Sequence, residues 1–238
     1  MPSRLLSRLV ASGLLLAAGI AQAHYLWIEP AEDGARLFYG EAEAALKEGS
    51  PGRLDSIQGV RAFAMSASDA ATRAVALRRT PGHLALAAPV QAASLLVQEE
   101  SLPVRDLAAN GLGQVKINYY ARHGAPATGA SQLTLDVQGQ TPDTWTVVYR
   151  GRPLAHAKLE VIAPNTWVQE HQTDARGRVR INTPWRGLYV LHVLHVDKTP
   201  GEFAGQRYDN LRQHYTYSFV RTAGPDAGPA IPAQQKKD

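Results

Sequence analysis

His24 stands directly behind Ala21-Gln22-Ala23, at the end of an apolar run from Leu9 to Ile20 that Arg4 and Arg8 precede. That order of basic residues, apolar run and small-x-small site is what signal peptidase cuts. The sequence therefore predicts removal of residues 1–23 and a mature chain that begins on histidine. A retained membrane anchor is the alternative, but the run is shorter than the roughly 20 apolar residues a spanning helix needs. A terminal histidine offers two nitrogens, the α-amino group and Nδ1, which close a small chelate ring on one metal ion, half of a histidine brace. The amine has an ordinary pKa near 8, well below that of lysine, so a metal displaces its proton easily at neutral pH. The competing reading is a histidine that merely follows a cleavage point, because the residue is common on surfaces as well as at metal sites.

The chain has 238 residues, eight histidines and no cysteine. This excludes a disulfide framework, a thiolate metal site, an iron–sulfur cluster and a catalytic cysteine. Any metal must rest on nitrogen and oxygen. His192 and His195 lie three apart on one extended segment and so face opposite sides. His195 is the preferred ligand because it precedes Val196-Asp197 at the strand end, where loops gather. His214 lies on the polar side of a strand whose other side carries Tyr215, Tyr217 and Phe219, and could meet His195 across a sheet. His123, in a loop closed by Gly124, is a further candidate. The expected ligand set is thus His24, His195, His214 and His123, each with the ordinary reading of a solvated or core histidine beside it. His83, His156 and His171 read as exposed turn or strand residues. Glu29, Glu32 and Asp33 are available oxygen donors near the N terminus, although surface acids are usually just solvated. Donors of this kind suit a divalent Ni, Co, Cu or Zn ion, with intrinsic affinity favouring copper.

Other chemistry finds little footing. Glu99-Glu100 are strand neighbours that face opposite ways and make a poor acid–base pair. No Gly-x-Ser-x-Gly elbow, phosphate-cradling glycine loop or His-Glu-x-x-His helix occurs. Trp27, Trp145, Trp167 and Trp185 could form a carbohydrate platform, but strand positions make core packing the expected use. The formal charge of +4 falls to +2 when Arg4 and Arg8 leave with the leader, and no Lys/Arg stripe remains, so nucleic acid is not an expected partner.

The elements that must position these residues read as mainly β. From Tyr25 to Gly139 short strands recur at Tyr25–Ile28, Arg36–Tyr39, Gly59–Met65, Ala74–Leu77, His83–Leu86 and Ser94–Gln98, with turns at Thr80-Pro81-Gly82 and Ala88-Pro89. Gly113–Arg122 is read as a short helix, and Glu41–Leu46 as a second helical piece. From Gln140 the alternation sharpens at Trp145–Tyr149, Ala157–Val161, Trp167–Thr173, Arg178–Ile181 and Arg212–Val220. Gly187–Val196 is apolar on both faces, as a central strand is. The expected organisation is a signal peptide (1–23), an N-terminal β-rich domain (24–139), an antiparallel β-sandwich of immunoglobulin or transthyretin type (140–221) and a Pro/Gly-rich disordered tail (222–238).

Three stretches carry a resemblance: Thr146-Val147-Val148-Tyr149-Arg150-Gly151-Arg152-Pro153-Leu154-Ala155-His156-Ala157-Lys158-Leu159-Glu160-Val161, Thr173-Asp174-Ala175-Arg176-Gly177-Arg178-Val179, and Pro184-Trp185-Arg186-Gly187-Leu188-Tyr189-Val190-Leu191. Their turns occur in many carboxypeptidase-regulatory and collagen-adhesin-type modules. Together with the leader and His24-Tyr25-Leu26-Trp27, the chain resembles a widespread bacterial periplasmic domain family of unknown function. Its members are often labelled periplasmic components of cobalt or nickel uptake systems. The resemblance implies a periplasmic metal-binding protein whose partners are a metal ion and a membrane transporter or outer-membrane receptor. Two further classes stay open. One is a copper oxidase-like enzyme built on a histidine brace, and the other is a metal-free interaction module that offers an edge strand within the cell envelope. The leader reading carries its own test: the intact mass of the exported protein should match residues 24–238, and a mass that includes Ala23 or earlier residues would overturn it.

Overall fold

The computed structural model describes residues 24–66, 71–87, 92–127, 129–141, 143–229 and 231–232. Its strands in chain order begin with β1 (Tyr25–Ala31), β2 (Gly34–Glu41), β3 (Leu46–Lys47), β4 (Arg61–Ser66), β5 (Thr72–Ala74), β6 (Leu77–Arg79) and β7 (Leu84–Leu86). There follow β8 (Ala92–Glu99), β9 (Arg105–Asp106), β10 (Gln114–Gly124), β11 (Leu135–Thr141), β12 (Thr144–Tyr149), β13 (Arg152–Pro153) and β14 (Lys158–Ile162). The last are β15 (Val168–Gln172), β16 (Arg178–Arg180), β17 (Gly187–Asp197), β18 (Gly201–Phe203), β19 (Gln206–Tyr208) and β20 (Asn210–Arg221). The expected mainly β class is what the chain adopts, and no helix among the described residues is long and apolar enough to cross a membrane.

A nine-stranded sheet, ordered β15-β14-β17-β20-β10-β8-β4-β5 with β9 beside β10, forms the centre. Alternate side chains of its strands enter two different cores. Val97, Tyr119, Ala121, Ile162 and Val190 join β1, β2 and β7 on one face. Leu96, Tyr120, Val161, Leu191 and Tyr215 join β11, β12 and β16 on the other. The central sheet is therefore the middle layer of three, between a five-stranded sheet (β1-β2-β7-β6, with β3 on β2) and a four-stranded one (β11-β12-β13, with β16 on β12). The β10–β20 ladder is parallel, whereas the other ladders between these strands are antiparallel. The expected 139/140 division falls inside β11, and the central sheet takes β4, β5, β8, β9 and β10 from one side of it and β14, β15, β17 and β20 from the other.

Both helical expectations are corrected. Gly113–Arg122 supplies β10 instead, because Val115, Ile117, Tyr119 and Ala121 pack on one face while Lys116, Asn118, Tyr120 and Arg122 are buried on the other. The polar side chains of that second face are satisfied within the sheet. Lys116 Nζ donates to Glu100 O at 2.9 Å, Ile117 O at 3.1 Å and Asn118 Oδ1 at 2.7 Å. Burial lowers the Lys116 pKa to about 8. Residues 41–46 form a turn rather than a helix. Glu41 closes β2, Ala45 N–H bonds Ala42 O at 3.1 Å, Ala45 takes φ +50°, and β3 opens at Leu46.

Of the tryptophans, Trp27 and Trp145 are buried, while Trp167 is 52% exposed and meets Trp185 edge-on at 5.5 Å. The expected tail holds residues of two kinds. Residues 222–229 are described, and Arg186 N–H reaches Pro225 O at 3.0 Å while Asn165 reaches Ala227 O at 2.8 Å. The expected leader 1–23, the expected turn at Ala88-Pro89, Ala230 and residues 233–238 lie outside the described residues.

Two polar contacts bolt the layers together. Between the central and four-stranded sheets, Arg122 grips Asp136 with Nε–Oδ1 at 3.0 Å and Nη2–Oδ2 at 2.7 Å, both residues being essentially buried. Tyr215 OH, Ser131 Oγ and the Val137 N–H also donate to that carboxylate, at 2.8, 2.6 and 2.9 Å. Removing one partner of such a pair strands the other charge, which costs about 3–5 kcal/mol. Asp136→Ala should therefore lower stability by about that amount in denaturant titration, and the double change Arg122→Met/Asp136→Leu should regain much of it. A single variant as stable as the wild type would refute this assignment.

On the opposite face, Thr216 Oγ1 donates to Leu26 O at 2.7 Å and Ser218 Oγ to Ile28 O at 2.6 Å. These carbonyls belong to an edge strand that pairs with β2 alone, and the hydroxyls satisfy acceptors that the ladder leaves unpaired.

Candidate metal centre

The β1–β2 hairpin turns on Glu32-Asp33, pairing Ala31 with Gly34 and continuing to Tyr25 with Gly40. One step further, His24 comes opposite Glu41. Gly40 is needed there because β3 folds back over β2: at φ +147° a Cβ would stand 2.1 Å from Leu46 O. That return carries Glu48 over the same place, its N–H bonded to Tyr39 O at 2.8 Å. The result is an acidic cage. His24 Nε2 lies 2.5 Å from Glu48 Oε1, and Nδ1 lies 3.0 Å from Glu41 Oε1. The side chains of His24, Glu41 and Glu48 are 4%, 9% and 14% exposed, with Arg53 Nε 3.8 Å from Glu48 and the Tyr39 ring 5.3 Å from the imidazole. The Nδ1 contact lacks hydrogen-bond alignment, and Nδ1 has no hydrogen-bond partner.

A second polar group lies beneath the first. The Tyr39 hydroxyl is 3.5 Å from that of Tyr119, whose ring sits 5.3 Å from His214. His214 Nδ1 is 3.2 Å from His192 Nε2, and His192 Nδ1 donates to Glu160 Oε2 at 3.0 Å. The three groups form one chain that ends on Glu160. The hydrogen bond to His192 holds the Glu160 carboxyl below its ordinary pKa. Burial, helped by His192 and Arg212, drives the His214 pKa well below the ordinary value. Tyr25 stacks on His192 at 4.1 Å and donates its hydroxyl to Glu43.

The four histidines expected as ligands thus occupy different places. His24 is in the cage. His214 is paired with His192, the histidine that was set aside, and not with His195. His195 faces the other layer, with its ring 4.5 Å from Tyr149 and burial lowering its pKa. His123 is part of β10, where Nδ1 meets Ser218 Oγ at 2.9 Å, and lines a cleft of about 310 Å³ with Pro30, Glu32 and Leu95. Glu29 accepts from Trp27 Nε1 at 2.9 Å and pairs with Lys47.

The residues overlooked in the sequence are Glu41 and Glu48, and a signal for Glu41 was present: counting back through a two-residue turn at Glu32-Asp33 sets it opposite His24. Glu48 carries no such mark. Among the described residues, no three His, Asp or Glu side chains converge on a point where they could hold one metal ion. The cage accounts for this, since Glu41 and Glu48 hold opposite nitrogens of one ring. No protein-family model matches the chain, and neither does any curated protein.

The buried pair makes a pH prediction. His214 stays neutral in the fold but binds a proton near pH 6.5 once unfolded. Below that pH the unfolded state holds the extra proton, so stability falls as pH drops, by about 1.4 kcal/mol per pH unit for each such histidine. The depressed Glu160 acts only below about pH 4.3, where its unfolded carboxyl protonates. Denaturant midpoints between pH 7.5 and 5 should decline, and His214→Gln should flatten the slope. An unchanged slope would contradict the assignment.

Proposed function

We propose that the protein is a periplasmic transition-metal-binding protein, accessory to metal uptake, whose mature N-terminal His24 is part of the site. One observation carries the reading: the residue that leader cleavage would turn into a chelating terminus is buried in an acidic cage, with Nδ1 free of any hydrogen bond. The Glu41 and Glu48 carboxylates beside the imidazole supply the oxygen donors and negative charge that attract a cation. Without thiolates, the donors suit divalent Ni, Co, Cu or Zn. The resemblance to periplasmic components of cobalt or nickel uptake systems points the same way, with a transporter or outer-membrane receptor as the next holder of the ion.

The test compares processed protein beginning at His24 with a version that keeps Met ahead of it, titrating each with Cu²⁺, Ni²⁺, Co²⁺ and Zn²⁺ by calorimetry and native mass spectrometry. The processed form should bind at least one ion about tenfold or more tightly, because disturbing a ligand set costs 10–100-fold. Equal weak binding by both forms would overturn the proposal and leave the metal-free envelope module.

A further inference from the structure

We propose that Glu41 is the third donor of this site, beside the His24 amine and Nδ1, and that Glu48 is a positioning residue acting through Nε2. The inference rests on the metal-binding reading and assigns it a ligand set. Two donors bound at about 2.1 Å to one ion, at a right angle to each other, stand about 3.0 Å apart. Nδ1 and Glu41 Oε1 are 3.0 Å apart and not aligned as a hydrogen bond. A ring nitrogen buried to this extent would ordinarily have a partner. The far side of the ring is arranged as ligating histidines commonly are, with Nε2–H given to a carboxylate, here Glu48 at 2.5 Å. That contact orients the ring and turns Nδ1 toward Glu41. Because the carboxylates hold opposite nitrogens, Glu48 cannot join Glu41 on one ion, so the remaining donor comes from the main chain. The α-amino group of His24, in chelate with its own Nδ1, supplies it.

The set is then one amine, one imidazole and one carboxylate. Such donors take Cu²⁺, Ni²⁺ or Zn²⁺, and hold Cu⁺ poorly because it seeks thiolate and thioether. Reduction should therefore release copper.

The experiment uses the full processed chain and Cu²⁺. In wild-type protein grown with ¹³C-glutamate, pulsed EPR should show a carboxylate ¹³C coupling to the copper, and after ascorbate reduction native mass spectrometry should show the protein without the ion. Glu41→Gln should weaken Cu²⁺ binding by about 10–100-fold and shift the parallel hyperfine splitting. Glu48→Gln should weaken binding with a smaller spectral change, and Glu32→Gln, in the hairpin turn, should alter neither. Absence of ¹³C coupling in copper-loaded wild type overturns the assignment even if Glu41→Gln fails to fold. Wild-type affinity and an unshifted spectrum in a folded Glu41→Gln also overturn it while leaving the N-terminal site standing. Failure of processed wild type to bind any of the ions defeats the underlying reading instead.

Discussion

Two hydroxyls hold the N-terminal strand in place. Thr216 and Ser218 reach from the central sheet to the carbonyls of Leu26 and Ile28, groups that an edge strand cannot satisfy on its own. Each bond contributes about 1 kcal/mol net, but an unmet buried carbonyl costs more, so β1 has one seat rather than several. With β1 seated, the hairpin register brings Glu41 opposite His24, and the return at Gly40 brings Glu48. The acidic cage is thus a consequence of how one strand is satisfied on the strand beneath it.

The same constraint acts across the whole middle layer. A sheet covered on both faces must place every polar side chain where a partner waits. Arg122 finds Asp136 toward one cover, and His214 finds His192 toward the other, with Glu160 behind it. The two solutions differ in kind. The first buries a charged pair in bidentate geometry, while the second buries two imidazoles in contact, and burial holds the His214 pKa well below the ordinary value.

The strands of the second half were legible because their alternation and turns are local, as at Trp145–Tyr149, Asp174–Gly177 and Arg178–Ile181. Gly187–Val196 read as a central strand because both its faces are apolar, and β17 pairs on both sides. Gly113–Arg122 misled because its polar face is buried beneath a second layer contributed by residues later in the chain, which periodicity cannot reveal. His214 misled similarly: the polar stripe opposite Tyr215, Tyr217 and Phe219 suggests an open face where His195 could be met, whereas β1 covers it. At the site, His24 stood out by its place behind Ala21-Gln22-Ala23, the expected cleavage point. Its partners did not, since a glutamate that matters only through a return strand looks like any other surface acid.

The bond from Thr216 to Leu26 joins residues 190 positions apart. Contacts of such separation are entropically costly to form early, and folds rich in them are slow to complete. The hairpin of β1 and β2 can close on its own, but its platform does not exist until the last long strand has paired between β10 and β17. During synthesis, the residues of β1 must therefore wait for the last long strand before their surroundings are complete.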